Sequence, residues 1–287
     1  MELFFAILFS GFIFVLFKLF PKFNIDTFQA IVVNYFVAFI CGLLFFPFQL
    51  NALLEVDASW FGFTLSAATL FIGLFLIMGM SAQRNGLSST SVAVKMSMAL
   101  SVLGMVIFYA EDVNAWKISG ITLAIFGVIG MTLQANEQKN ERSSGWMLLV
   151  LFLGSGMLDF LLNYIQHQVL TENETAFFTA YAFGLAGIIG MFIALILIAK
   201  RKLTLAFRHI IAGVLLGIPN YFSIYFLMKA YDTLEWSNSS ILAVINVCIV
   251  VIASLVGLLF FKEKWNRMKI IGFISSLISI LFLYLSV

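Results

Sequence analysis

Charge is what this sequence has least of. Only 10% of its 287 residues are Asp, Glu, Lys or Arg, and 62% are hydrophobic, whereas a soluble domain carries about 25% charged residues. A water-soluble fold of this length needs polar groups on its outer face and loops, so it could not hide that much apolar surface. The net charge is +2 and no basic cluster is present, so no nucleic-acid partner is expected. The two cysteines, Cys41 and Cys248, lie inside apolar runs without a His or Cys at metal-ligand spacing. They read as small buried hydrophobes. Two histidines leave no ligand set for zinc, and there is no His-Glu-x-x-His or Gly-x-Ser-x-Gly. Gly154-Ser155-Gly156 is too short for a nucleophile elbow. No catalytic residue, metal or cofactor is expected. Long polar connections are also missing. The longest lie near 47–59 and 136–145, and neither could house a soluble domain.

What the chain has instead is apolar runs, with a mean hydropathy of +1.07. About 20 mostly apolar residues are needed to cross a bilayer as a helix. Ten such runs are found, at roughly 2–20, 27–46, 60–80, 88–108, 117–135, 146–166, 176–199, 208–228, 238–260 and 268–286. The first has no basic segment before it and no small-x-small cleavage site after it, so a retained helix is expected rather than a signal peptide. The reading is an all-α integral membrane protein in which any function lives within the helices or at their mouths.

Lys and Arg are distributed unevenly among the connections. Thirteen of sixteen fall in or beside odd-numbered loops, among them Lys18, Lys22, Arg84, Lys200, Arg201, Lys202 and Arg208. A missed helix would scramble this asymmetry. By the positive-inside rule odd loops face the cytoplasm and both termini face out.

An internal repeat organises the ten runs. Phe108, Glu111, Asn114, Lys117, Ile118 and Gly120 match Phe260, Glu263, Asn266, Lys269, Ile270 and Gly272 at a constant offset of 152. The chain therefore divides into 1–136 and 145–287, with five helices in each half. An odd number per half turns the second half upside down, a plan that recurs in secondary transporters.

The repeated unit is an apolar helix, Phe-x-x-Glu, a short polar turn, a Gly and a closing apolar helix. It resembles the EamA-type units of the drug/metabolite transporter (DMT) superfamily over essentially the whole chain. Phe-Phe-Lys-Glu-Lys at 260–264 with Gly272 is the better match, and Phe-Tyr-Ala-Glu at 108–111 with Gly120 the weaker. The resemblance implies export or exchange of small metabolites, such as amino acids, by alternating access, and termini in the cytoplasm. The first helix carries Ser10-Gly11 where members often have Trp-Gly. Ser101 and Ala253 stand near where a Pro is common in the fourth and ninth helices.

Charges at membrane depth cost about 2.5–3.5 kcal/mol each on insertion scales and normally face a cavity or a partner. Lys95, in the fourth run, and Asp159, in the sixth, stand out. A cavity-facing pair binding a zwitterion, anion or proton competes with a structural ion pair, or with a snorkelling Lys. Asn163 follows Asp159 by one helical turn, with Gln166 and His167 beyond it. Pro219 should kink or break the eighth helix and leave Asn220 and Tyr221 beside the break as site builders. Asn246, Asn34 and Tyr35 could line a cavity or bond between helices. Gly213-x-x-x-Gly217 and the Ala182, Ala186, Gly190 series read as close helix packing within the chain. Glu111 and Glu263 read as interfacial ion pairs or turn caps, and Trp60, Trp116, Trp146 and Trp236 as belt residues. The candidate substrate site is thus Lys95, Asp159, Asn163, Asn220, Tyr221 and Asn246. The expected partners are a small-molecule solute, the lipid of a bacterial inner membrane and a coupling ion such as a proton. A channel or a membrane scaffold protein is the alternative.

Overall fold

The computed structural model describes residues 1–45, 58–109, 114–137, 144–169, 175–204, 206–234 and 238–285. Glu111 and Trp236 lie outside these, as do the side chains of Trp60, Gln166 and His167. Among the described residues all regular structure is helical. The helices are α1 (Glu2–Leu19), α2 (Thr27–Phe45), α3 (Ala58–Arg84), α4 (Leu87–Met96), α5 (Met98–Tyr109), α6 (Ala115–Glu137), α7 (Gly145–Gln168), α8 (Thr175–Ala199), α9 (Phe207–Thr233), α10 (Asn238–Leu259) and α11 (Arg267–Leu285), with a 3-10 turn at Phe20–Phe23. In hydrocarbon a helix satisfies its backbone polar groups internally, and these sequences offer little competing polar chemistry. Eight helical stretches are long and apolar enough to cross a membrane, and Ala115–Met131 and Val244–Leu259 are shorter apolar helices. The chain is a multi-pass membrane protein. Its outer faces are greasy, with Phe12, Phe126, Ile188 and Phe192 exposed, while Ser88, Thr90, Ser91 and Ser279 are fully buried.

Helix starts follow local chemistry. Asn114 Oδ1 accepts the Lys117 N–H at 2.8 Å, and Asn266 Oδ1 accepts the Lys269 N–H at 2.9 Å, capping α6 and α11 in the same way. Asp26 Oδ1 does this for α2 through the Gln29 N–H at 2.9 Å.

The chain forms two compact units, and neither coincides with a sequence half. The first comprises Met1–Leu19, Ile77–Phe160 and Phe222–Val287, the second Phe20–Leu76 and Leu161–Tyr221.

In the first unit α6 lies against α11 backbone to backbone. A Cβ on Gly272 would stand 2.9 Å from Gly127 O and 3.3 Å from Met131 N, and one on Gly120 would stand 3.1 Å from Leu283 N. Ser279 Oγ donates to Gly120 O at 2.7 Å across the same contact. Ser89 Oγ reaches Met131 Sδ at 3.7 Å and ties α4 to α6.

In the second unit α2 packs on α8 and α9. Gly184 and Gly187 receive the rings of Phe39 and Phe36, and Gly190 receives Val32. Gly213 lies against Val33 and Gly217 against Asn34 O and Val37, so the Gly-x-x-x-Gly pair serves close packing within the chain, as its spacing suggests. Ala182 and Ala186 are fully buried. Asp26 N–H donates to His209 Nδ1 at 3.1 Å, and Gln29 Nε2 donates to Thr204 O at 3.1 Å.

The run 88–108 is one candidate span, Leu87–Phe108, in which Ser97 alone separates α4 from α5. One expectation needs correcting: α9 continues through Pro219 without a break. Proline removes a single N–H, and the Gly213 and Gly217 contacts with α2 hold the turns before it.

Candidate functional site

Three of the six predicted residues converge on the junction between α4 and α5, all in the first unit. The junction is local chemistry. Ser97 keeps helical angles, φ −55° and ψ −24°, and its carbonyl accepts the Ser101 N–H at 3.2 Å, so the course of α4 carries on into α5. Its hydroxyl reaches back to Val94 O at 2.6 Å and across to Asp159 Oδ2 at 3.1 Å. One hydroxyl proton serves one of these acceptors at a time. A serine bonding its own preceding turn loosens a helix slightly, and the Asp159 carboxylate competes for the same proton.

Lys95 stands in the last turn of α4. The partial negative charge at a helix C-terminus favours a cation there. It is half-buried, and among the described residues it has no hydrogen bond and no ion pair at salt-bridge distance. Its charge interacts with that of Asp159 across a wider gap. Asp159 is exposed.

Small residues set the position of Asp159. A Cβ on Gly156, one turn earlier, would stand 2.7 Å from Leu100 Cβ and 3.0 Å from Ser97 O, so glycine lets α7 approach the junction closely. The next residue, Phe160, covers Gly104 and stacks on Phe108 with ring centroids 5.0 Å apart. Asn246 of α10, only 4% exposed, donates through Nδ2 to Met98 Sδ at 3.5 Å.

The remaining three belong to the second unit. Asn163 is half-buried, one turn beyond Asp159 on α7. Asn220 and Tyr221 are buried on α9. Tyr221 packs toward Gly42, with its ring 6.1 Å from that of Phe45. Tyr35 donates its hydroxyl to Phe71 O at 2.7 Å, an interhelical bond. Asn34 is fully buried, and its side-chain Nδ2 and Oδ1 have no hydrogen-bond partner among the described residues.

Sequence reasoning missed Ser97, Gly156 and the serine run that begins at Ser88. Ser97 carries no breaker signal, and Gly156 is one of twenty glycines. The run Ser88-Ser89-Thr90-Ser91 was legible as a polar patch at a helix start.

No family model matches the chain. A protein of Haemophilus influenzae described as uncharacterized is 28% identical over 99% of this chain and 97% of its own length. The glucose uptake protein GlcU of Staphylococcus xylosus is 25% identical over 77% of this chain and 76% of its own length.

Proposed function

We propose that the chain is a secondary transporter of small polar metabolites, built as an EamA-type member of the DMT superfamily and resident in a bacterial inner membrane. The observation that carries this reading is the placement of Lys95 beside the α4–α5 boundary, where Ser97 bonds Asp159 and Met98 bonds Asn246. The similarity to a protein named for glucose uptake supports solute transport.

Ten crossings arranged as two inverted halves fit several contacts. The two shorter apolar helices would bring the eight candidate spans to ten. Adding 152 to Gly120, Gly127 and Met131 gives Gly272, Ser279 and Leu283. The pairs that meet across α6 and α11 are Gly120 with Ser279 and Leu283, and Gly272 with Gly127 and Met131. The offset exchanges one set for the other, as a two-fold axis between repeats would. The matched Asn114 and Asn266 caps follow the same rule.

In this reading the solute places an acceptor group on the Lys95 ammonium and a donor on the Asp159 carboxylate or the Asn246 amide. An amino acid or a related zwitterion satisfies both charges, and a sugar satisfies them with hydroxyls. Asp159 is the group that would carry a coupling proton. No covalent turnover is involved.

Counterflow in proteoliposomes tests the proposal, after a thermal-shift screen of amino acids and hexoses on purified protein picks the solute. Saturable exchange of labelled for unlabelled solute is expected. Flux rising linearly to high millimolar concentrations would mean a channel, and a chemically altered product would mean an enzyme. Absence of any flux would leave the scaffold alternative.

A further inference from the structure

A helix start leaves backbone N–H groups without intrahelical partners, and α4 supplies no side-chain cap of its own. It begins after Gly86, whose φ is 93°, a conformation that favours glycine. The cap comes from Glu263, beyond the end of α10. Leu87 N–H donates to Glu263 Oε1, Ser88 N–H to Oε2 at 3.4 Å and Ser88 Oγ to Oε2 at 2.7 Å. Carboxylates at helix N-termini gain from both the charged hydrogen bonds and the helix dipole.

This cap is gripped from several sides. Lys269 Nζ stands 3.2 Å from Glu263 Oε2, the two side chains being 3% and 7% exposed. The same ammonium lies 5.4 Å from the centre of the Trp265 ring. A Cβ on Gly257 would stand 2.7 Å from Glu263 Cδ, and one on Gly86 would also strike the carboxylate.

The far end of this helix matters for the site. α4 has ten residues, about 15 Å of helix, and is separated from α5 by Ser97. It is a short rod with Glu263 at its start and Lys95 in its last turn. We infer that Glu263 is a positioning residue: by holding the start of α4 it sets where Lys95 stands relative to Asp159. This rests on the transporter reading, in which Lys95 faces a solvated site. Release of the carboxylate frees the rod, and the Ser97 junction takes up the motion.

The test uses the full chain in proteoliposomes with Cys41→Ser and Cys248→Ser, and Lys95→Cys as the reporter. The probe is a water-soluble cationic methanethiosulfonate, added from either side. Glu263→Ala is expected to speed labelling at position 95 by about tenfold, the size of one lost charged hydrogen bond. Glu263→Gln keeps an acceptor for the Leu87 N–H and should restore most of the slow rate. Ser88→Ala should give a smaller acceleration in the same direction. Should Glu263→Ala fail to fold, Ser88→Ala decides the matter. Rates that are unchanged or slower in folded Glu263→Ala or Ser88→Ala overturn the inference and leave the transporter reading standing. If position 95 is unlabelled from both sides in every background, the solvated site itself is wrong and both readings fall.

Discussion

Ser97 stands between α4 and α5 with its hydroxyl oxygen 3.1 Å from Oδ2 of Asp159. That one bond ties an intramembrane carboxylate to the boundary of the helix pair that carries Lys95. Removing the hydroxyl by Ser97→Ala should do two things. It closes the helical ladder more firmly, because the competing bond to Val94 O disappears. It also leaves Asp159 one donor short, so solute affinity should fall by about tenfold while the thermal midpoint holds or rises. Isothermal titration and a thermal melt on the same preparation check both halves.

Lys95→Met keeps the length and apolar stem of the side chain and deletes the charge. Saturable exchange should drop by about a hundredfold while the protein still inserts and runs as a single species in detergent. Asp159→Asn should act alike. Full exchange by both variants would remove this pair from the site.

Gly272→Ala places a methyl group against backbone on the facing helix, 2.9 Å from Gly127 O and 3.3 Å from Met131 N. Backbone cannot swing aside as a side chain can. The substitution should destabilise by roughly 1–3 kcal/mol, the usual cost of overpacking, read as a lower thermal midpoint in detergent. Ile274→Ala on the exposed face of α11 serves as the control and should change little.

Asn34→Leu should be neutral or stabilising. The amide is fully buried with neither side-chain atom bonded among the described residues, and an unsatisfied buried polar group costs about 1–3 kcal/mol. A melt that drops sharply for this variant would show that the amide has a partner in the working protein.

Much of this was legible before any coordinates, and the reasons differ by residue. Lys95, Asp159 and Asn246 could be picked out because polar groups are costly in hydrocarbon, and the sequence has few of them at that depth. The Gly213 and Gly217 packing could be read because i, i+4 spacing puts two glycines on one helical face. The bond from Ser97 to Asp159 could not, since its partner lies sixty-two residues away. The unbroken course of α9 was misread for the converse reason. Proline has a strong local signal, and the contacts that outweigh it come from α2. Glu263 was readable as a cap or ion pair. The helix it caps lies 176 residues back along the chain, and spacing carries no trace of that. The make-up of the two compact units was hidden in the same way, because each draws helices from both sequence halves.

The glycine-lined seam between α6 and α11 also limits how this protein can change shape. Two helices touching main chain to main chain have almost no side-chain cushion through which to roll or slip. They behave as one strut. Any rearrangement within their unit must then fall on the joints that lack such a seam, and the serine-bounded rod beside them is the joint that the chain supplies.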